Sequence, residues 1–158
     1  MKKKIAVYSI CKNESQFVEK FLESVKDADL IAIADTGSTD DTVKRFKEVS
    51  KRLGIESKVD VRPIHIAPWR FDDARNANLA MIPSDFDICI CLDLDEVMLP
   101  GWREGIESVW TDETTRLRYY YVWNWNEDGS EGISYWGDKI HARKGYRWKM
   151  PVHETMTY

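Results

Sequence analysis

The stretch that decides the fold is ICICLDLD, residues 88–95. Its apolar part, residues 88–92, predicts a strand buried on both faces, as in a parallel sheet covered by helices. Asp93 and Asp95 follow at the carboxyl end of this strand, where open α/β sheets place their ligands. Alternate residues of a strand point to one side, so both carboxylates could address a single cation if the strand continues that far.

Oxygen ligands of this kind suit Mg2+ or Mn2+, and Mg2+ is usually held by one or two carboxylates together with substrate phosphates. The stretch therefore suggests a cation that connects the protein to a diphosphate. Two other interpretations stay open for Asp93 and Asp95, because acidic residues after a strand also cap the next helix or simply face solvent.

Length and composition fit one globular domain, residues 1–158, with room for a sizeable core. The net charge of -4 gives no general attraction for nucleic acid or anionic lipid. Residues 1–4 resemble the basic start of a signal peptide, but the apolar segment 5–10 is too short, and no window is long enough to span a bilayer. We therefore expect a cytoplasmic protein with no nucleic-acid partner and no integral membrane segment.

Strand and helix patterns alternate through the first half of the chain. Strands are expected at 4–10, 30–34 and 58–62, ahead of the strand at 88–92, and helices at 17–25, 42–53 and 72–81. This βαβαβ order favours an α/β fold with a Rossmann-like, mainly parallel sheet flanked by helices.

The second half has a different character. The segment 116–125 is rich in Tyr and Trp, residues 126–129 are a candidate hairpin turn, and the segment 140–148 is again typical of a strand. We predict a nucleotide-binding half, residues 1–96, joined to a smaller aromatic β half, residues 97–158, within the one domain.

Five motifs occur in order along the chain: KNE at 12–14, ADTGSTDDT at 34–42, WRFDDARN at 69–76, LDLDE at 92–96 and VHE at 152–154. Together they resemble the family 2 glycosyltransferases of the GT-A fold, and the resemblance covers most of the chain. It implies transfer of a sugar, of glucose type, from a UDP-sugar to an unknown acceptor hydroxyl on a carbohydrate, lipid or protein. It also implies inversion at the anomeric carbon, with Mn2+ or Mg2+ stabilising the charge of the leaving nucleoside diphosphate.

The resemblance assigns donor-site roles by position. Asp95 matches the metal ligand, and Asp93 matches a position near the ribose and the ion. Asp35 lies in the segment that holds the base and ribose. Thr36 stands where the family commonly has a second acid, so Asp35 could instead cap the following helix.

Two further donor contacts are implied. Arg75 matches a basic residue that reaches the nucleotide, and its alternative is a surface charge paired with Asp72 or Asp73. Ile10 and Lys12, after the first strand, are expected to frame the base mostly through backbone groups.

The pair His153-Glu154 lies near the C-terminal end. Several metal-dependent enzymes of this fold add a histidine from this region, so His153 is a candidate metal ligand, since neutral imidazole tolerates Mn2+. Glu154 is a candidate general base for the acceptor, and Asp138 is its main rival, because the family base is commonly an aspartate. We expect Trp136 to line the acceptor side, where a sugar would stack on its ring.

Two other functions remain open. A non-catalytic nucleotide-sugar or sugar-binding module would lack a carboxylate that faces the anomeric carbon. A nucleotidyltransferase would share the α/β sheet and the metal carboxylates. It usually carries a Gly-rich loop after the first strand, and residues 10–15 contain no glycine.

Overall fold

The computed structural model describes residues 2–158 and contains a six-stranded sheet. Its strands are β1 (Ile5–Cys11), β2 (Leu30–Asp35), β3 (Val59–Pro63), β4 (Ile88–Cys91), β5 (Arg116–Val122) and β6 (Ser134–Ala142), in the spatial order β3-β2-β1-β4-β6-β5. Strands β1 to β4 are parallel, and β6 runs antiparallel to both β4 and β5. The predicted α/β fold with a mainly parallel sheet is confirmed.

Helices cover the sheet, and a short second sheet adjoins it. The helices are α1 (Val18–Val25), α2 (Thr42–Arg52), α3 (Phe71–Ala80) and α4 (Trp102–Val109), with a 3-10 turn at Glu56–Lys58. The second sheet pairs β7 (Arg147–Lys149) with β8 (Thr155–Thr157). Within residues 2–158 no helix has the length and apolar character needed to cross a membrane.

Two apolar cores cover the two faces of the sheet. The apolar residues of α1 recur three and four positions apart, which puts Phe21 and Leu22 on one buried face against the first core. On the opposite face, Tyr8 of β1 packs in a second core with Leu79 of α3 and Trp148 of β7. Because β1 and β4 are buried on both faces, groups that bind a ligand must lie beyond the ends of these strands, and open α/β sheets use the carboxyl ends.

Two parts of the second half differ from the sequence prediction. Helix α4 was not predicted, although Trp102, Ile106 and Val109 have helical spacing. The segment 140–148 is not one strand, because β6 ends at Ala142 and β7 begins in a separate sheet. The hairpin turn at 126–129 is confirmed, with an antiparallel bridge between Trp125 and Glu131 on either side of it.

A β-bulge interrupts the pairing of β5 with β6. Leu117 faces Ile140, but Tyr119 already faces Gly137, so β6 contains one residue more than β5 across this interval. The extra residue lies in the pair 138–139. Bulges change the direction of side chains, and this one lies beside the carboxyl end of β4.

Candidate functional site

The two aspartates after β4 lie on a tight turn and not on a continuing strand. β4 ends at Cys91, and the backbone N–H of Glu96 donates to the carbonyl of Asp93 at 3.0 Å. The Glu96 carboxylate accepts the backbone N–H of Asp93 at 2.9 Å. Leu94 is buried, whereas Asp95 is exposed. The turn therefore presents the Asp95 carboxylate to solvent and keeps Asp93 half-buried beside the sheet.

Two cations hold the Asp93 carboxylate. Arg75 of α3 donates from Nη2 to Oδ1 at 2.8 Å, and Lys139 of β6 donates from Nζ to Oδ2 at 3.3 Å. Lys139 also contacts Oε1 of Glu96 at 3.1 Å. Burial disfavours the charged form of Asp93, but the two cations outweigh it and lower the pKa of that carboxyl below its usual value. The carboxylates of Asp93 and Glu96 likewise raise the pKa of Lys139 against the opposing effect of its burial.

Arg75 joins Asp93 to Glu154. Its Nε donates to Oε1 of Glu154, and its guanidinium lies 5.2 Å from the ring centroid of Trp148. Arg75 is 6 % exposed and also contacts the Cys91 sulfur from Nη1 at 3.2 Å. One buried guanidinium therefore connects α3, the carboxyl end of β4 and the segment before β8.

The alternative for Arg75, a surface charge paired with Asp72 or Asp73, is wrong. Both of those aspartates pair with Arg70 instead, Asp72 at 2.7 Å and Asp73 at 3.3 Å. The difference follows from the helix, since Arg75 points to the sheet whereas Arg70 precedes the first turn.

The three C-terminal candidates lie in different surroundings. Glu154 is largely buried, and only its Oε1 has a hydrogen-bond partner among the described residues. His153 is exposed, with a left-handed φ of 54°, and its ring makes no hydrogen bond to residues 2–158. Asp138 occupies the bulge next to Lys139, but its carboxylate binds Nη2 of Arg116 at 2.7 Å. Both candidate bases are thus paired with an arginine.

The loops after β1 and β2 are fastened to each other. Asp35 is buried and accepts the backbone N–H groups of Gly37 at 3.3 Å and of Ser38 at 3.1 Å, so its carboxylate shapes its own turn. Asn13, with a left-handed φ of 56°, accepts the backbone N–H of Thr39 at 2.7 Å through its side-chain oxygen. The nucleotide role of Asp35 stays a prediction.

The remaining donor candidates lie at the end of β1. Ile10 is half-buried, and Lys12 is exposed in the turn that follows. Burial, reinforced by the negative charges of Asp95 and Asp93, raises the pKa of Glu14. The β1 loop and the turn after β4 are therefore close enough to interact electrostatically.

A cavity of about 640 Å³ adjoins the turn after β4. It lies between α4 and β5, and Asp95 and Glu96 are among the residues that line it. Aliphatic and aromatic side chains make up most of the rest of the lining, the aromatic ones including Trp102, Tyr119 and Trp123. Trp136, expected on the acceptor side, is exposed but does not line this cavity, and its ring packs edge-on against Tyr120 at 5.9 Å.

Whether a divalent ion fits this site depends on which side chains are available as its ligands. Among residues 2–158 no three His, Cys, Asp or Glu side chains gather into a ready-made metal cluster. Asp95 is exposed and makes no ion pair in the described chain, whereas both oxygens of Asp93 have cationic partners. One or two carboxylates suffice when substrate phosphates complete the shell, so these residues fit an ion shared with a diphosphate.

Sequence reasoning missed Lys139 and Glu96 as members of the site. Glu96 stands next to the Asp-X-Asp motif, and its position could have indicated that its carboxylate closes the turn. No local signal marks Lys139, because its contact with Asp93 depends on how β6 pairs with its neighbours.

Comparison with known proteins gives one family and a set of similar folds. The family described as glycosyl transferase family 2 matches residues 6–153. Residues 1–349 of S. aureus TarS are 16% identical over 66% of this chain and 31% of that one, with a TM-score of 0.56. The mannosyltransferase PcManGT from Pyrobaculum calidifontis, solved with GDP-Man and Mn2+, is 15% identical over 73% of this chain and 35% of that one, with a TM-score of 0.57.

A third solved structure is glucosyl-3-phosphoglycerate synthase from Mycobacterium tuberculosis with Mn2+, UDP and phosphoglyceric acid. It is 21% identical over 72% of this chain and 41% of that one, with a TM-score of 0.55. The chain thus spans between 31% and 41% of the length of these three structures. At such identities the likeness concerns the fold.

Proposed function

This chain belongs to glycosyl transferase family 2 and has the GT-A fold, and from that premise we propose that it transfers a sugar from a nucleotide diphosphate donor to an acceptor hydroxyl. The observation that carries the proposal is the turn after β4. There Asp95 is exposed, Asp93 is held by two cations, and the loops of β1 and β2 lie at the same edge of the sheet. This edge is where open α/β sheets bind nucleotides.

We assign the nucleoside to the half formed by residues 1–96. The turn shaped by Asp35, together with Ile10 and Lys12 at the end of β1, would hold the base and ribose. The proposed donor is a UDP-sugar of glucose type, which rests on the resemblance of the motifs. Solved neighbours hold both kinds of nucleotide, since the TarS fragment was solved with UDP-GlcNAc and PcManGT with GDP-Man.

The diphosphate would meet Arg75, Asp93 and Asp95. We propose that Asp95 and Asp93, with His153 from the C-terminal segment, hold Mn2+ or Mg2+ together with the donor phosphates. When bound, such an ion supplies Lewis-acid stabilisation of the negative charge that develops on the leaving diphosphate. Arg75 adds a permanent positive charge on the same side, because a guanidinium remains protonated at all ordinary pH values.

The acceptor would enter from the half formed by residues 97–158, along the cavity between α4 and β5, whose lining includes Asp95 and Glu96. We propose Glu154 as the general base, because its Oε1 is held by Arg75 while Oε2 is left for the acceptor hydroxyl. Direct displacement by that hydroxyl would invert the anomeric carbon. Asp138 is the rival base, since Arg116 pairs with its Oδ2 and its Oδ1 makes no ion pair within residues 2–158.

A second candidate is a binding module without turnover. One observation favours it, namely that both candidate bases are engaged with arginines in the described structure. Such a module would bind the nucleotide-sugar as tightly as the enzyme does, but it would release no nucleotide when an acceptor is added.

The test combines binding and turnover. Calorimetric titration of UDP should show tighter binding with Mn2+ than with EDTA, and Asp95→Ala should remove the difference. Asp112→Ala is the matched control, because that carboxylate is fully exposed and remote from the turn. A screen of nucleotide-sugars that follows release of the nucleotide then separates the enzyme from the binding module. Equal UDP affinity with Mn2+ and with EDTA in the unsubstituted chain would refute the metal-assisted site.

A further inference from the structure

Lys139 is a part of the site that no sequence motif includes. It comes from β6, on the far side of β4 from β1, and its ammonium reaches the turn through the bulge at 138–139. Its Nζ lies 3.3 Å from Oδ2 of Asp93 and 3.1 Å from Oε1 of Glu96. A lysine thus occupies the side of Asp93 that Arg75 leaves open.

The positive charges around the turn oppose the binding of a divalent ion to Asp93. A divalent ion that approaches Asp93 meets the Lys139 ammonium on Oδ2 and the Arg75 guanidinium on Oδ1. Repulsion between like charges at such distances is strong at the effective dielectric of a protein surface. Asp93 is therefore poorly disposed to bind a metal ion by itself, and one of its two cations must move first.

Lys139 is the cation that can move. Its side chain is a flexible stem with a compact charge and is 26% exposed, whereas the Arg75 side chain is 7% exposed and is also fixed by Glu154 and Trp148. A diphosphate beside Asp93 would offer the displaced ammonium a new anionic partner. On leaving Asp93 the ammonium keeps only Glu96 as a partner among residues 2–158, and a diphosphate would replace the carboxylate that it has lost.

We propose, on the basis of the proposed function, that Lys139 is a substrate-binding residue. It couples binding of the metal ion to binding of the nucleotide. In the absence of nucleotide it neutralises Asp93 and opposes binding of the ion. In the presence of the donor it pairs with the diphosphate and leaves Asp93 to the ion. The chain would then bind Mn2+ weakly alone and much more tightly together with UDP.

The test is a pair of titrations on Lys139→Met. Mn2+ is titrated without nucleotide and followed by electron paramagnetic resonance of the free ion, and UDP is titrated calorimetrically at saturating Mn2+. Loss of the ammonium should tighten Mn2+ binding by about 3- to 10-fold, since a like charge is removed from the ligand. The same substitution should weaken UDP binding by about 10-fold or more, the order expected when a charge-assisted contact is lost.

Controls separate this role from a structural one. Lys144→Met removes an exposed lysine that follows β6 and should change neither titration. Lys139→Arg keeps the charge and should retain most of the UDP affinity. Should Lys139→Met fail to fold, as judged by thermal melting, Lys139→Gln provides the same charge change with a polar side chain.

The directions in which Lys139→Met changes the Mn2+ affinity and the UDP affinity decide the outcome. Weaker binding of both Mn2+ and UDP would mean that Lys139 only supports the turn, and it would overturn the coupling. An unchanged value in either titration would overturn it as well. If the unsubstituted chain binds UDP with Mn2+ and Lys139→Met has the same affinities for Mn2+ and UDP, only the role proposed for Lys139 fails. If the unsubstituted chain binds neither, the proposed function fails and this inference with it.

Discussion

Buried His141 makes the stability of this fold depend on pH. Its Nε2 accepts from the hydroxyl of Tyr8 at 2.9 Å, and its Nδ1–H donates to the carbonyl of Ala142 at 2.8 Å. The hydroxyl oxygen of Tyr8 in turn accepts from Nε1 of Trp148 at 2.8 Å. This chain of donors and acceptors requires a neutral imidazole. A proton on Nε2 would place a second donor against the hydroxyl hydrogen of Tyr8.

The size of the contribution that His141 makes to the free energy of unfolding follows from its pKa. Burial, aided by the positive charges of Arg116 on β5 and Arg143 after β6, lowers the pKa of His141 from 6.5 to about 4, although the bond to Ala142 opposes this. At 1.36 kcal/mol for each pKa unit, the difference is about 3 kcal/mol. The folded state binds fewer protons than the unfolded state between these values. The contribution is therefore fully present above pH 6.5 and is lost as the pH falls towards 4.

The assay is urea denaturation followed by tryptophan fluorescence at several pH values between 7.5 and 4.5. The free energy of unfolding should fall with a slope that approaches 1.36 kcal/mol per pH unit. His141→Gln cannot take up a proton and should lose most of that slope, while being less stable at pH 7.5. His65→Gln, at an exposed histidine, should keep the slope of the unsubstituted chain. Identical slopes for the unsubstituted chain and for His141→Gln would refute the reasoning.

Three further predictions concern the proposed site. Asp35→Ala should weaken UDP binding by about 1 to 3 kcal/mol, because the backbone donors of its turn lose their acceptor. If GDP or CDP competes better than UDP, the uridine assignment is wrong. His153→Ala should weaken Mn2+ binding in the presence of UDP, and excess Mn2+ should partly restore UDP binding. Equal Mn2+ affinities for the substituted and unsubstituted chains would exclude His153 as a metal ligand. Glu154→Gln should keep UDP-sugar affinity and lose about 10²- to 10⁴-fold in turnover, whereas full activity would transfer the role to Asp138.

The strands of the first half could be predicted because their signal is local. A strand such as β4 that is buried on both faces must be apolar throughout, and its polar ligands must then follow it. Helix α4 also carried a local signal, since Trp102, Ile106 and Val109 share one face. That signal was weakened by Gly105, a poor helix former, between them. The end of β6 at Ala142 was harder to predict, because apolar residues recur at alternate positions on both sides of the change of sheet, Ile140 and Ala142 before it and Tyr146 and Trp148 after it.

Most contacts within the site could not be predicted, because they join segments that are distant in sequence, whereas the contact between Glu96 and Asp93 is local. Arg75 was predicted to reach the nucleotide, with a surface pair to Asp72 or Asp73 as the alternative, and Asp72 in fact pairs with Arg70. The structure gives it Asp93 and Glu154 instead, 18 and 79 positions away. Pairing of this kind depends on which strand lies beside which helix, and a pattern of spacings within one segment does not contain that information.

Burial of Arg75 between two carboxylates is better explained by geometry than by stability. A buried ion pair gains little over an apolar replacement, because removing charges from water costs about as much as their attraction returns. Its guanidinium does, however, have a fixed planar shape, and it holds Asp93 and Glu154 at the same time. Asp93, proposed to hold the ion at the diphosphate, and Glu154, proposed to activate the acceptor, thereby keep one relative position. Displacement of a leaving group by an incoming hydroxyl requires such a fixed alignment of the two reactants.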